Sequence, residues 1–85
     1  MNEQFSTFQV TDRKSFIQFL DLLRQDFLKN PNGWENNKLD TFLDALSSYT
    51  NDVQGYYENM GQQVDLEKPS WQTFADIFKG ATMYE

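Results

Sequence analysis

The stretch WENNKLDTFLDALSSYTNDVQGYYENMG, from Trp34 to Gly61, decides the fold. Within it Leu39, Phe42, Leu43, Leu46, Tyr49, Val53, Tyr56, Tyr57 and Met60 recur at intervals of three and four for about six turns, the spacing that lays apolar side chains along one face of a helix. Asp40, Asp44, Ser47, Ser48 and Asn51 fall on the opposite face. A two-sided helix over about 37–60 is therefore expected. Asn36 or Asn37 is the expected N-cap, and Asn37 with Asp40 three residues on resembles a capping box. Gly61 is a natural stop, because glycine takes the left-handed conformation at no steric cost. Gly55 interrupts the pattern at a cost of about 1 kcal/mol relative to Ala. Either another chain segment passes close to it, or the helix bends there.

Outward from this helix, the flanking segments repeat the pattern at shorter length. Thr11 offers a cap and Asp12 a favourable first-turn charge for a helix over about 12–29. Its stripe is Phe16, Leu20, Leu23 and Phe27, broadened by Phe19 and Leu28, with Asp21, Arg24 and Gln25 on the other side. Asn30-Pro31-Asn32-Gly33 then ends it. This run is a turn and not a calcium loop: the acidic first ligand is missing, and Thr41 stands where the bidentate Glu belongs. After Gly61, Gln62 to Pro69 is a polar connector in which Val64 and Leu66 can anchor. Ser70 caps a third helix over about 71–82, with Trp71, Phe74, Ala75 and Phe78 as its stripe. Residues 1–10 carry Phe5, Phe8 and Val10 in a short irregular pattern, read as an extended arm or at most one short strand. Three helices with one apolar stripe each can bury those stripes only against one another, so a small all-α, three-helix single domain is expected, with the second helix as its centre.

Composition narrows the chemistry. At 85 residues, one core is all the chain can build, burying about 60 to 65% of the unfolded surface; aromatic residues, 16% of the chain and eight of them Phe, supply much of it. There is no Cys and no His. That removes disulfides, the common zinc sites and the usual Ser-His and Cys-His nucleophile pairs, and no other motif indicates an enzyme or a cofactor. Thirteen acidic residues against seven basic ones give a charge of −6, and the sequence pI is near 4.4. Such a surface disfavours nucleic acid and anionic membranes, admits a basic protein partner, and also simply keeps a small domain soluble. No secretory signal or membrane-spanning run is present, so a cytoplasmic setting is expected.

Several residues stand out as candidates for contact with a ligand or partner. Trp34, Glu35 and Asn36 place an aromatic, a carboxylate and an amide just before a helix N-terminus, where unpaired N–H groups attract anions; the alternative is that Trp34 folds onto the core while its neighbours cap. Tyr56, Tyr57 and Glu58 form the second group. Adjacent helical residues point about 100° apart, so at most one of the two tyrosines can be central. Asp40 and Asp44 lie one turn apart, read as a solvated face and not as a metal site. Two functions follow: an acidic module binding a basic partner through the second helix's acidic face and tyrosine edge, or a small-ligand or divalent-cation site formed by Trp34, Glu35, Asn36, Tyr57 and Trp71.

In order along the chain, Trp34-Glu35-Asn36, Leu39 with Phe42-Leu43-Asp44-Ala45-Leu46, Gly55-Tyr56-Tyr57, Pro69-Ser70-Trp71, Phe74-Ala75 and Tyr84-Glu85 make up a pattern that resembles a family of short bacterial domains of unknown function. Tyr49 departs from it, standing where many relatives are expected to carry tryptophan. The resemblance implies a stand-alone helical domain and brings no activity with it.

Overall fold

Capping decides where each helix begins. In the computed structural model, which describes residues 7–84, α1 spans Arg13–Lys29, α2 Leu39–Asn59 and α3 Trp71–Ala81, with a single 3-10 turn at Pro31–Gly33. The N-cap of α1 is Asp12 and not Thr11: its carboxylate accepts the Ser15 N–H at 2.8 Å, and the Ser15 hydroxyl accepts the Asp12 N–H at 3.0 Å. This reciprocal arrangement satisfies two otherwise orphaned donors, which a single Thr11 hydroxyl could not do. The bond from the Ser15 backbone, followed by that from its side chain, holds the Asp12 carboxyl below its usual range.

The start of α2 also differs from expectation. Lys38 takes the N-cap position, with its N–H donated to the Thr41 hydroxyl at 3.4 Å, while the Asp40 carboxylate accepts the Thr41 N–H at 2.9 Å. Asn36 and Asn37 are left free for other partners. At the far end Gly61 stands at φ 72°. The Gly61 N–H reaches the Glu58 carbonyl and the Gln62 N–H reaches that of Tyr57, at 3.0 and 2.9 Å. This paired C-terminal closure requires the left-handed residue that glycine supplies. Ser70 caps α3 as expected, accepting from the Thr73 N–H.

Packing reverses the expected hierarchy. The C-terminal helix, although the shortest, lies against both α1 and α2, while among the described residues α1 and α2 make no close backbone approach to each other. Length of apolar stripe did not select the centre. Small residues did: Ala75 and Ala81 are fully buried, and Gly80 brings the α3 backbone so near Tyr49 that a Cβ there would overlap the ring. Close helix approach depends on small side chains at the contact, and α3 carries them.

Two apolar clusters result. The first joins Val10, Phe19, Leu23, Trp34 and Ala75, flanked by Phe8, Phe16, Phe27, Phe42 and Phe78. The second gathers Tyr49, Val53 and Tyr57 with Ile77, Tyr84 and the connector's Val64 and Leu66. Aromatic rings run through the first cluster from Phe27 to Trp34, Phe42, Phe78 and Phe16, with centroids 5.1 to 6.3 Å apart. Several stripe residues stay outside both clusters: Leu20, Leu28, Leu39, Leu43, Met60, Trp71 and Phe74 are exposed. With α1 and α2 apart, each helix buries a narrower face than its periodicity allows.

No strand occurs among the described residues. The end of the expected arm lies on the core through Phe8 and Val10, and the Val10 N–H is held by the Gln72 side chain at 2.8 Å. Residues 1–6 of that arm, and Glu85, lie outside the described residues.

Candidate functional site

The Trp-Glu-Asn segment divides its three side chains among three tasks. Trp34 is buried in the first cluster and donates its indole N–H to Asp26 at 2.7 Å. Asp26 itself is only 3% exposed, a carboxylate set on the apolar side of α1 between Leu23 and Phe27. Sequence reasoning passed over it, although an acid on the stripe of an amphipathic helix is the sign of a buried polar partner.

Asn36 turns toward the end of α3. Its Nδ2 donates to the Ala81 and Tyr84 carbonyls at 2.9 and 2.6 Å, and its backbone N–H to the Thr82 carbonyl at 3.0 Å. Helix C-termini leave carbonyls without intrahelical partners. Asn36 therefore caps the last helix rather than the next one. Glu35, between these two anchored residues, is exposed.

The four tyrosines of the chain form a run of ring contacts, Tyr84 to Tyr49 to Tyr56 to Tyr57, that begins beside the Asn36 cap. Tyr49 stands 5.1 Å from Tyr84 and 6.2 Å from Tyr56 between ring centroids, and Tyr56 stands 5.6 Å from Tyr57. Tyr57 is buried and Tyr56 is 45% exposed, as the 100° offset between neighbours demands. The Tyr57 hydroxyl donates to Asp76 at 2.7 Å, and the Tyr84 hydroxyl donates to Asp52. Burial, followed by the charge environment of Tyr56 and Asp76, pushes the Tyr49 phenol up to about 12. Burial, reinforced by the bond to Asp76, raises that of Tyr57 as well. The bond to Asp52 raises that of Tyr84. The neutral phenols of Tyr57 and Tyr84 thus serve as hydrogen-bond donors to the two carboxylates.

Beside the Asn36 cap lies a polar groove of about 510 Å³, lined by Glu35, Asn36, Thr41, Asp44, Ser48 and Tyr84 together with Ala45. It brings together three of the residues singled out in the sequence, Glu35, Asn36 and Asp44, and adds Tyr84. No Lys or Arg among the described residues lines it. Neither carboxylate pairs with a described residue, whereas Asp21 on α1 is held by Arg24 at 3.0 Å. Asp40 lies on the adjoining outer face of the same α2 turns, and Glu58 is exposed near that helix's end.

The five-residue pocket expected from Trp34, Glu35, Asn36, Tyr57 and Trp71 does not assemble. Trp34 belongs to one cluster and Tyr57 to the other, and Trp71 packs on Phe16 and Phe74 at the start of α3, with ring centroids 5.5 and 6.2 Å away. Among the described residues no three acidic side chains converge as a metal site would require, and no helix is long and apolar enough to cross a membrane.

Comparison with curated proteins and with solved structures yields no match. A family model does match, over residues 12–85, and it covers all three helices, the Trp-Glu-Asn segment and the tyrosine cluster. The chain therefore belongs to DUF7660, a family of unknown function.

Proposed function

We propose that this domain is a non-enzymatic binding module for a basic protein partner, engaged through the first turns of α2 and the groove beside them. The observation that carries this reading is the charge of the groove: Glu35 and Asp44 line it among the polar Asn36, Thr41 and Ser48, Tyr84 adds an aromatic ring, and no described Lys or Arg lines it. A lysine or arginine entering it meets carboxylates and ring faces together, the two environments that best accommodate a desolvated cation. With a net charge of −6, the whole molecule also attracts a cationic protein at long range and speeds encounter. An immunity-type inhibitor of a toxic, basic nuclease in the cytoplasm is one concrete form of such a module, offered by analogy of size and charge.

The test is affinity capture from the native host with the wild-type chain and with a Glu35→Lys, Asp40→Lys, Asp44→Lys triple variant of unchanged melting temperature. A recurrent basic protein should be retained at low salt by the wild type and lost with the variant. Capture that is unaffected by the three reversals, or no recurrent protein at all, rejects the proposal.

A further inference from the structure

Near the end of α1 stands Phe27, Trp34 follows the turn, and Leu39 and Phe42 open the stripe of α2; together they wall a hollow of about 220 Å³. Its exposed wall is almost wholly carbon, because the polar groups around it are engaged elsewhere. The Trp34 indole N–H goes to Asp26, the Asn36 amide to the Ala81 and Tyr84 carbonyls, and the Asn37 amide to the Pro31 carbonyl at 3.3 Å. A guest rich in hydroxyls, such as a sugar, would give up its water here and find no partner. An aromatic one suits the walls: Phe27 meets Trp34 edge-on at 5.1 Å and Phe42 lies tilted beside it at 5.6 Å, offering ring faces and edges together. A dry cavity of roughly 150 Å³ already admits benzene, so this one holds a benzene ring with room for a short carbon link. Every described lining residue falls between Phe27 and Phe42, with none from α3 or the later turns of α2. The hollow is therefore the size of a small molecule and not the length of a helix.

Charge decides what the link carries. Lys38 is the one ionised side chain among the described residues that line the hollow. It is exposed and makes no ion pair with a described residue, and Lys29 in the last turn of α1 adds a second positive charge at that end. A lysine lays its carbon stem on an apolar wall and keeps its ammonium in water, at the mouth where a guest's charged group would stand. Three acids neighbour these residues in sequence, and none lines the hollow: Asp26 holds the Trp34 indole, Glu35 lines the polar groove, and Asp40 accepts the Thr41 N–H. The net charge of −6 opposes an anion at a distance, but exposed charges more than about 8 Å apart are largely screened in physiological salt. The groups at the hollow therefore set the sign of its guest.

We propose that this hollow is a binding site for a small aromatic carboxylate, whose ring lies against Phe27, Trp34 and Phe42 and whose carboxylate pairs with Lys38. The site goes beyond the basic-partner reading and does not depend on it, since the hollow and the polar groove share only Asn36 among their described lining residues.

The experiment titrates the full chain with phenylacetate while the Trp34 indole N–H resonance is followed by NMR. The Trp71 indole, packed on Phe16 and Phe74, is the internal control. Phenylacetamide, phenethylammonium and hexanoate vary the charge and the ring in the same assay, on the wild type and on Lys38→Gln. That substitution keeps the N-cap, which uses the Lys38 backbone N–H, and the melting temperature is measured in parallel. Phenylacetate should shift the Trp34 resonance saturably and leave Trp71 still. It should bind about two- to fivefold tighter than the amide, the size of an exposed ion pair, and Lys38→Gln should abolish that preference. No saturable shift of Trp34 with any of the four compounds overturns the site. Equal binding of acid and amide, tighter binding of the ammonium, or an acid preference that survives in Lys38→Gln overturns the carboxylate assignment. Hexanoate binding as tightly as phenylacetate overturns the aromatic one. The Glu35, Asp40 and Asp44 reversals that test the basic partner are separate from all of these, so either proposal can fail while the other stands.

Discussion

Gly55 and Gly80 both sit inside helices, yet their surroundings give substitution opposite signs. A Cβ built on Gly55 meets no atom within 4 Å, so neither a close neighbour nor a special backbone angle calls for glycine there. Of the two expectations, a close neighbour is absent, and α2 runs without a break through this position. Gly55→Ala should then stabilise by about 1 kcal/mol, the full helix-propensity difference, read as a rise of roughly 4–8 °C in the thermal midpoint. At Gly80 the same propensity gain is opposed by overlap with the ring of Tyr49, which is buried. Overpacking of this kind costs roughly 1–3 kcal/mol and exceeds the gain. Gly80→Ala is expected to lower the midpoint, and a rise would show that the Tyr49 ring can yield.

At the scale of elements, the molecule is held by connections that cross from one helix end to another. Asn36 is the clearest case, because it lies just ahead of α2 but serves the carbonyls beyond α3. Asn36→Ala removes the two side-chain bonds to Ala81 and Tyr84 while the backbone bond to Thr82 can persist. A loss of about 1–3 kcal/mol is expected for half-buried carbonyls left short of a donor. Amide exchange should speed up first at Thr82 to Tyr84, with α1 unchanged. Uniform acceleration along the chain would instead mean that Asn36 supports the whole core and not one terminus.

For the molecule as a whole, the tyrosine cluster sets its response to alkali. Tyr49, pushed up to about 12, and Tyr57, also raised, hold their protons more tightly when folded than when unfolded. A pKa raised by folding stabilises the native state fully below the unfolded value near 10, and this contribution is lost as pH rises through the folded value. Thermal midpoints should hold level to about pH 10 and fall toward pH 12, while phenolate absorbance of the folded protein lags behind that of the unfolded chain. Tyr49→Phe should flatten the fall; an unchanged slope would place the alkaline sensitivity elsewhere.

What the sequence determined by itself follows from local physics. Helix number, approximate span and class came from three-and-four periodicity, and the stops at Lys29 and Gly61 from turn and glycine chemistry within a few residues. The connector's Val64 and Leu66 were identifiable because two apolar residues in a polar run have few other uses. The tertiary structure alone decided which helix is central, because that depends on backbone approach at Ala75, Gly80 and Ala81 and not on stripe length. It also decided that Asn36 caps α3, since the two are separated by some forty-five residues of chain and no local pattern connects them. The candidate site divides in the same way. Glu35 was legible as an acid just ahead of a helix start and Asp44 as one on a solvated face, but their meeting with Tyr84 in one groove arises only when the helices are placed in space.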